Sequence, residues 1–184
     1  DLIIFSTGYA ISGAASPSSR AKMVVTGRDG KSMDEKWMNG LATLHGVVSR
    51  DFPNLFYPGP SQLGAAANQL YVLDQTSTHV AYILSEAVKR AGPDQKRVSI
   101  EPTLEAEEAW AMQILMRAGA SAAVAICTPS YLNGEGALAQ LKGQQELMNL
   151  ARLTPWGEGV ADYVKVIEEW RSKGGLEGLE ISIQ

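Results

Sequence analysis

The sequence predicts an α/β fold, with α+β as the form open to this chain taken alone, and three observations lead there. A continuous apolar run at residues 2–5 (LIIF) ends in S-T-G-Y, the pattern of a strand covered on both faces that delivers Gly8 at its C-terminal edge. Two long segments, 68–90 and 160–172, repeat apolar residues at helical spacing. Two short runs, RVSIE at 97–101 and LEISI at 179–183, carry the β-branched alternation of strands.

The remaining elements follow in order. Residues 10–21 read as loop, and KMVVT at 22–26 is a short strand candidate stopped by the turn signal GRDG. The stretch FPNLFYPGPSQLGAAANQLYVLDQ, residues 52–75, sets a rigid Pro/Gly turn before a run that has no charge until Asp74. From Asn68, the positions Leu70, Leu73, Val80, Leu84 and Ala87 predict a long helix to about Arg90, stopped by A-G-P at 91–93. Thr103 is the expected N-cap of a helix whose first turns are rich in Glu, where the helix dipole favours negative charge, and Gly119 is its expected end. The run AGASAAVAIC at 118–127 reads as a buried strand or helix end, and 127–136 as loop. Residues 137–153 are helix-like but interrupted by Gly143. A last helix carries Val160, Tyr163, Val164, Ile167 and Trp170 on one stripe and is ended by K-G-G at 173–175.

Composition sets bounds on function. The 184 residues are 45% hydrophobic, enough for one ordinary domain with a sizeable core. A net charge of −4 with scattered Lys and Arg disfavours a nucleic-acid backbone as partner. One cysteine, Cys127, excludes an internal disulfide, and with only His45 and His79 beside it leaves too few ligands for a structural zinc site. A reducing compartment, the cytoplasm, is the expectation, and no apolar stretch approaches membrane-spanning length. Asp1 is not an initiator Met and runs straight into a strand pattern, so upstream sequence is expected.

Several residues invite a chemical role. His45 in TLHGVV has the residue type of a general base, although a single His in an apolar segment is more often a hydrogen-bonded structural residue. His79 falls on the long helix, where a polar face accounts for it. The carboxylates of EPTLEAEEAW are explained by a solvated helix start. Cys127 has no evident base and reads as a small hydrophobe. The glycine turns S-T-G and P-G-P-S-Q-L-G expose backbone amides to which an anion or a polar ring edge can dock. No G-x-G-x-x-G dinucleotide fingerprint lies between a strand and a helix anywhere in the chain.

Taken together and in order, five segments resemble the C-terminal part of flavin-dependent Baeyer-Villiger monooxygenases. DLIIFSTGY is similar to that family's D-x-hydrophobic-A-T-G-F strand, and KWMNGLATLHGVVSRDFPNLFYPGP to its K-W, L-G, F-P-N-L-F and G-P segment. EPTLEAEEAW, CTPSYLNGEG and VIEEWRSKGGLEGLEI resemble the branch acting on bulky cyclic, steroid-like or long-chain ketones. The resemblance implies a partial FAD-binding Rossmann-type domain over residues 1–92 and a C-terminal helical, loop-bearing segment over 93–184.

It further implies FAD and NADPH as cofactors of the parent enzyme and a bulky cyclic ketone as substrate, with an oxygen atom inserted beside its carbonyl. By the same resemblance the Gly8 turn approaches FAD, and Gly59, Pro60, Asn68, Gln69 and Leu70 meet the isoalloxazine at a helix N-terminus. Tyr131 matches an aromatic on a loop that folds over the nicotinamide and substrate, and Trp37 matches the K-W position or serves as packing. The glycine fingerprints, the F-x-G-x-x-x-H motif and the arginine that serves the flavin lie in upstream segments, and the motif here reads S-T-G-Y. The chain alone is therefore expected to hold FAD weakly and not to perform the family's reaction.

Two other classes compete. One is a flavin-free remnant acting as an isomerase or cyclase, with no cofactor and with His45, Asp74 and Tyr131 as acid/base candidates. The other is a non-catalytic small-molecule-binding or dimerisation module, in which the former domain face makes a homodimer.

Overall fold

An irregular loop, rather than a helix or strand, lies at the centre of this molecule, and the elements are best understood by how they hold it. The structure is a computed structural model that describes residues 2–5, 16, 22–59, 61–93, 97–130 and 133–183. Residues 41–49 are all buried. A buried loop must satisfy its polar backbone internally, and this one does so by small local closures. Leu44 N donates to Val48 O (2.8 Å), Gly46 N to the Thr43 hydroxyl (3.0 Å), and Tyr57 N to Val47 O (2.9 Å). Isolated bridges pair Leu44 with Val48 and Val48 with Phe56, so the loop ends as a narrow ladder leading to Pro58 and Gly59.

Around it, helix α1 (Met33–Trp37) starts at a capping box in which Ser32 and Glu35 satisfy each other's backbone N–H groups. Helix α2 (Gln69–Ala91) is capped by the Asn68 side chain, which accepts from Tyr71 N, and ends at Gly92 with φ of 78°. Strand β1 (Val98–Pro102) pairs antiparallel with β2 (Leu179–Ile183), Ile100 opposite Ile181. The other edge of β1 is closed by Asn54, whose side chain accepts from Ile100 N and donates to Val98 O while its own N–H donates to Ile100 O. Thr103 caps helix α3 (Leu104–Arg117), as its position predicts. A 3₁₀ turn (Ala118–Ser121) and α4 (Ala122–Ile126) follow, then a second 3₁₀ turn (Ala137–Gln140), α5 (Gln144–Arg152) and α6 (Val160–Ser172).

The main core joins Val47 and Leu63 of the loop region to Val72 of α2, Trp110 and Ile114 of α3, and Tyr163 and Ile167 of α6. Each such side chain contributes about 1.5–3 kcal/mol relative to exposure. A second cluster under the sheet unites Ile83, Ala87, Ile100 and Leu176.

The mixed α/β class holds, in its α+β form: the one sheet among the described residues is two-stranded and antiparallel. The long helix, β1, α3, the interruption at Gly143, α6 and β2 lie where the sequence places them. Four expectations are corrected. Residues 2–5 are not a paired strand but lie exposed, Leu2 and Phe5 by 80% or more, because no described strand offers them a ladder. Residues 22–26 form no strand, only a bridge from Thr26 to Ser32. The run 118–127 is helical and largely exposed, with Ile126 80% and Cys127 at the surface. Finally, joining α3 to α4 makes Leu104–Ile126 long and apolar enough, by length and composition, to cross a membrane. The first half of that run is nonetheless built into the core through Trp110, Ala111 and Ile114.

Candidate functional site

The segment 52–70 meets the surface at two arms. Pro58 is exposed and Gly59 half-buried on one, while Asn68, Gln69 and Leu70 are exposed on the other, Leu70 by 78%. The first turn of α2 contains no acidic residue, so beyond the Asn68 cap on Tyr71 N the positive end of its dipole meets no carboxylate within that turn. Such an end favours a group that gains negative charge.

What keeps these arms in place is a set of buried polar residues. Gln62 adopts a left-handed backbone (φ 62°) and is fully buried. Its side chain accepts from Thr43 (2.6 Å) and donates to Leu41 O and Arg152 O (2.9 and 2.8 Å), while its backbone O accepts from Trp110 Nε1 (3.0 Å). Glu107, one turn before Trp110 on the same face of α3, is 1% exposed and accepts from three donors. These are Lys36 Nζ (2.9 Å to each oxygen), the Ser49 hydroxyl (2.6 Å) and Arg50 N (2.8 Å). The two acidic and aromatic residues of E-A-E-E-A-W thus clamp the loop at both ends.

That finding corrects the view of this motif as a solvated helix start. Glu105 and Glu108 are exposed and fit that view, but Glu107 is a buried ion-pair partner. Lys36 and Trp37 serve the same cluster: Lys36 Nζ also donates to Arg50 O (2.6 Å), and Trp37 Nε1 donates to Ser49 Oγ (3.4 Å) and packs edge-on to Tyr57. The Tyr57 side chain lies against Ser49, and burial pushes its phenol well up from the ordinary tyrosine value.

His45 sits in the centre of the buried loop with a left-handed backbone (φ 55°). Its Nδ1 lies 3.0 Å from His79 Nε2, and its ring is boxed edge-on by Trp110 and Trp170 at centroid distances of 4.8 and 5.0 Å. His79 is therefore not on a polar face: it is fully buried, and its Nδ1 has no hydrogen-bond partner. Burial holds both imidazoles neutral, pushing His45 well down and His79 down to about 3. Asp74 stands apart from this pair, exposed and about 140° around α2 from His79. The structure thus does not bring His45 and Asp74 together.

Gly8, Pro60 and Tyr131 lie outside the described residues. The loop around Tyr131 is tied at its base by Asn133, which is fully buried. Its Oδ1 accepts from Ser130 N and Gly136 N, and its Nδ2 donates to Cys127 O and Thr128 O. Neither Asn133 nor Gln62 was singled out by the sequence as a placing residue, since an amide in a polar loop carries no periodic signal. Among the described residues no three metal-ligating side chains meet. A cleft of about 270 Å³ between α1 and α5 is lined by Trp37, Met38, Leu41 and Leu153 with Asn149.

No protein-family model matches the chain. An FAD-binding monooxygenase of Penicillium brasilianum is 57% identical over 183 residues, 99% of this chain and 28% of that protein. A counterpart in Emericella nidulans, also described as an FAD-binding monooxygenase, is 55% identical over 99% of the chain and 27% of its own length. Among solved structures, the polycyclic ketone monooxygenase of Thermothelomyces thermophila superposes with a TM-score of 0.86 at 40% identity, over 96% of this chain and 27% of that one. The chain spans less than a third of the length of the relatives it matches. By sequence and by fold, it is kin to one portion of the flavin-dependent Baeyer-Villiger monooxygenases.

Proposed function

We propose that this chain is the C-terminal part of an FAD- and NADPH-dependent Baeyer-Villiger-type monooxygenase acting on a bulky, polycyclic ketone. One observation carries the reading: α2 presents a capped, exposed N-terminus with no acidic residue in its first turn, following a segment fixed by Gln62. A flavin suits that donor set, because its reduced ring concentrates negative charge along one carbonyl edge. When bound, the flavin supplies oxygen activation, with NADPH as the source of two electrons; one oxygen atom enters the ketone and the other leaves as water.

The residues of the chain supply placement. Gly59 and Pro60 would help hold the flavin, with Asn68 ordering the first turn of α2 and the Gln69 and Leu70 amides offered to it. Residues 1–92 thus complete an FAD-binding domain with upstream sequence, and Gly8 approaches the cofactor. Residues 93–184 carry Tyr131, whose segment would close over nicotinamide and substrate and exclude water. The exposed lone Cys127 suits a reducing, cytoplasmic setting.

The relatives support this reading through their described flavin binding and, for the Thermothelomyces protein, through its ketone class. The test is an absorption spectrum of the natively purified full-length gene product, followed by NADPH consumption with polycyclic ketones. A flavin spectrum and ketone-dependent turnover are expected. A colourless product that turns over no ketone would overturn the assignment and favour a flavin-free pocket enzyme.

A further inference from the structure

We infer that His45 and His79 are positioning residues for the proposed flavin site, joined in a neutral hydrogen bond that fixes its two arms relative to one another. The inference rests on the function proposed above. The arms are residues 56–59 and the first turn of α2, and the covalent connection between them passes through Gln62 and Leu63 and then G-A-A-A at 64–67. Gln62 and Leu63 are anchored, whereas the methyl side chains and glycine that follow offer no side-chain hydrogen bond at the entry to α2. A tie from α2 itself supplements that anchor.

The histidines form that tie. His79 lies on α2 ten residues beyond Gln69, and His45 opens the narrow ladder that ends at Phe56 and Tyr57. Among the described residues, the side-chain hydrogen bonds that leave α2 include those from Tyr82 to Arg171 O, from Arg90 to Gly174 O, from His79 to His45, and between Thr76 and Tyr163. The histidine bond reaches the loop that carries the first arm directly, and Thr76 reaches it through Tyr163. His45 is itself held from the far side, where the Tyr163 hydroxyl donates to its carbonyl (2.9 Å).

Packing alone does not account for the pair. Two aromatic hydrocarbons would fill a box walled by Trp110 and Trp170 without leaving His79 Nδ1 buried and unpartnered. His45 also adopts a left-handed backbone that a non-glycine residue tolerates at a cost. The geometry directs one N–H between the two rings, either His79 Nε2–H donating to His45 Nδ1 or the reverse, and both arrangements require neutral imidazoles.

Amide hydrogen exchange on the full-length protein tests the tie, with wild type, His79→Phe and His79→Gln compared. The phenyl ring keeps the packing and removes the bond, whereas the glutamine amide restores a nitrogen at the position of Nε2. Loss of the tie is expected to raise exchange about tenfold in 55–59 and 69–76, with α3 and α6 unchanged, and His79→Gln to return it to near the wild-type rate. Should His79→Phe yield no folded protein, His45→Gly, which accepts the left-handed backbone and removes the imidazole, is expected to give the same local pattern. Unchanged exchange, an equal rise across the whole core, or failure of His79→Gln to restore protection would each overturn the inference. A flavin spectrum of the wild type separates the two claims: a colourless protein removes the cofactor-positioning role, while the exchange pattern still decides the tie.

Discussion

Glu107 and Lys36 are each nearly enclosed, with side chains 2% and 10% exposed, so neither can be removed without leaving the other's charge stranded. Glu107→Gln is expected to destabilise the protein by about 3–5 kcal/mol, the range for breaking one partner of a buried pair. The check is the urea midpoint of the full-length protein, read beside Glu108→Gln. Glu108 is half-exposed on the same helix and pairs with Arg152 at the surface, so that change is expected to stay within about 1 kcal/mol. Equal effects would show that the clamp on Ser49 and Arg50 is not what Glu107 contributes. Gly46 is a second sensitive residue, because it combines φ of 76° with a close approach to Leu63 Cβ, which a Cβ at Gly46 would meet at 2.8 Å. Gly46→Ala is expected to cost more than the 1 kcal/mol typical of a glycine-to-alanine change at positive φ.

Helices and their termini were the legible elements. Thr103 announces a cap and A-G-P at 91–93 a stop by residue type, and the apolar stripe of α6 announces its buried face, so α2, α3 and α6 fall within a residue or two of their sequence positions. The face of α2 that is buried is not the expected stripe: it runs through Val72, Thr76, His79, Ile83 and Ala87, while Leu70 and Leu84 are exposed, because a threonine and a histidine read as polar intrusions until the histidine's partner 34 residues earlier is seen. That pairing has a measurable consequence for the element. Both imidazoles are held below the ordinary histidine value in the folded state, so unfolded chains bind protons that folded chains refuse. Stability is then fully present above about pH 6.5 and falls as pH drops toward the folded value, by about 1.4 kcal/mol per pH unit for each histidine. Arg171 of α6 faces His79 and opposes its charging, and Tyr163, its phenol pushed up by burial, stays neutral throughout. Urea midpoints between pH 7 and 5 are expected to fall steeply in wild type and at about half that slope in His79→Gln. Matching slopes would mean that other groups, such as Asp51 and Glu35 with their lowered carboxyl values, govern the acid response.

At the scale of the whole molecule, the surface departs from that of a self-contained domain. Leu2, Ile3, Ile4 and Phe5 are 75–84% exposed as an extended apolar run, and Ile126, Met116 and Val124 leave a second apolar face along α3 and α4. The run at 2–5 was legible as a strand because its composition is that of a chain covered on both sides; what the sequence could not supply was the neighbour that covers it. Relatives about three and a half times longer than this chain point to the same requirement. An unpaired apolar strand is a template for association with another copy. The 184-residue chain expressed alone is therefore expected to bind a hydrophobic dye and to associate with rising concentration, both read by fluorescence and sedimentation. Ile3→Lys with Phe5→Glu is expected to relieve that association while leaving the urea midpoint unchanged, since neither side chain contacts the core. Under the proposed function, co-expression with an upstream flavin-binding portion is expected to relieve it as well, and to yield a flavin-bearing complex. If the chain alone is monomeric and dye-silent, the run at 2–5 is covered from within, and the proposed pairing with an upstream cofactor-binding portion loses the support of that run.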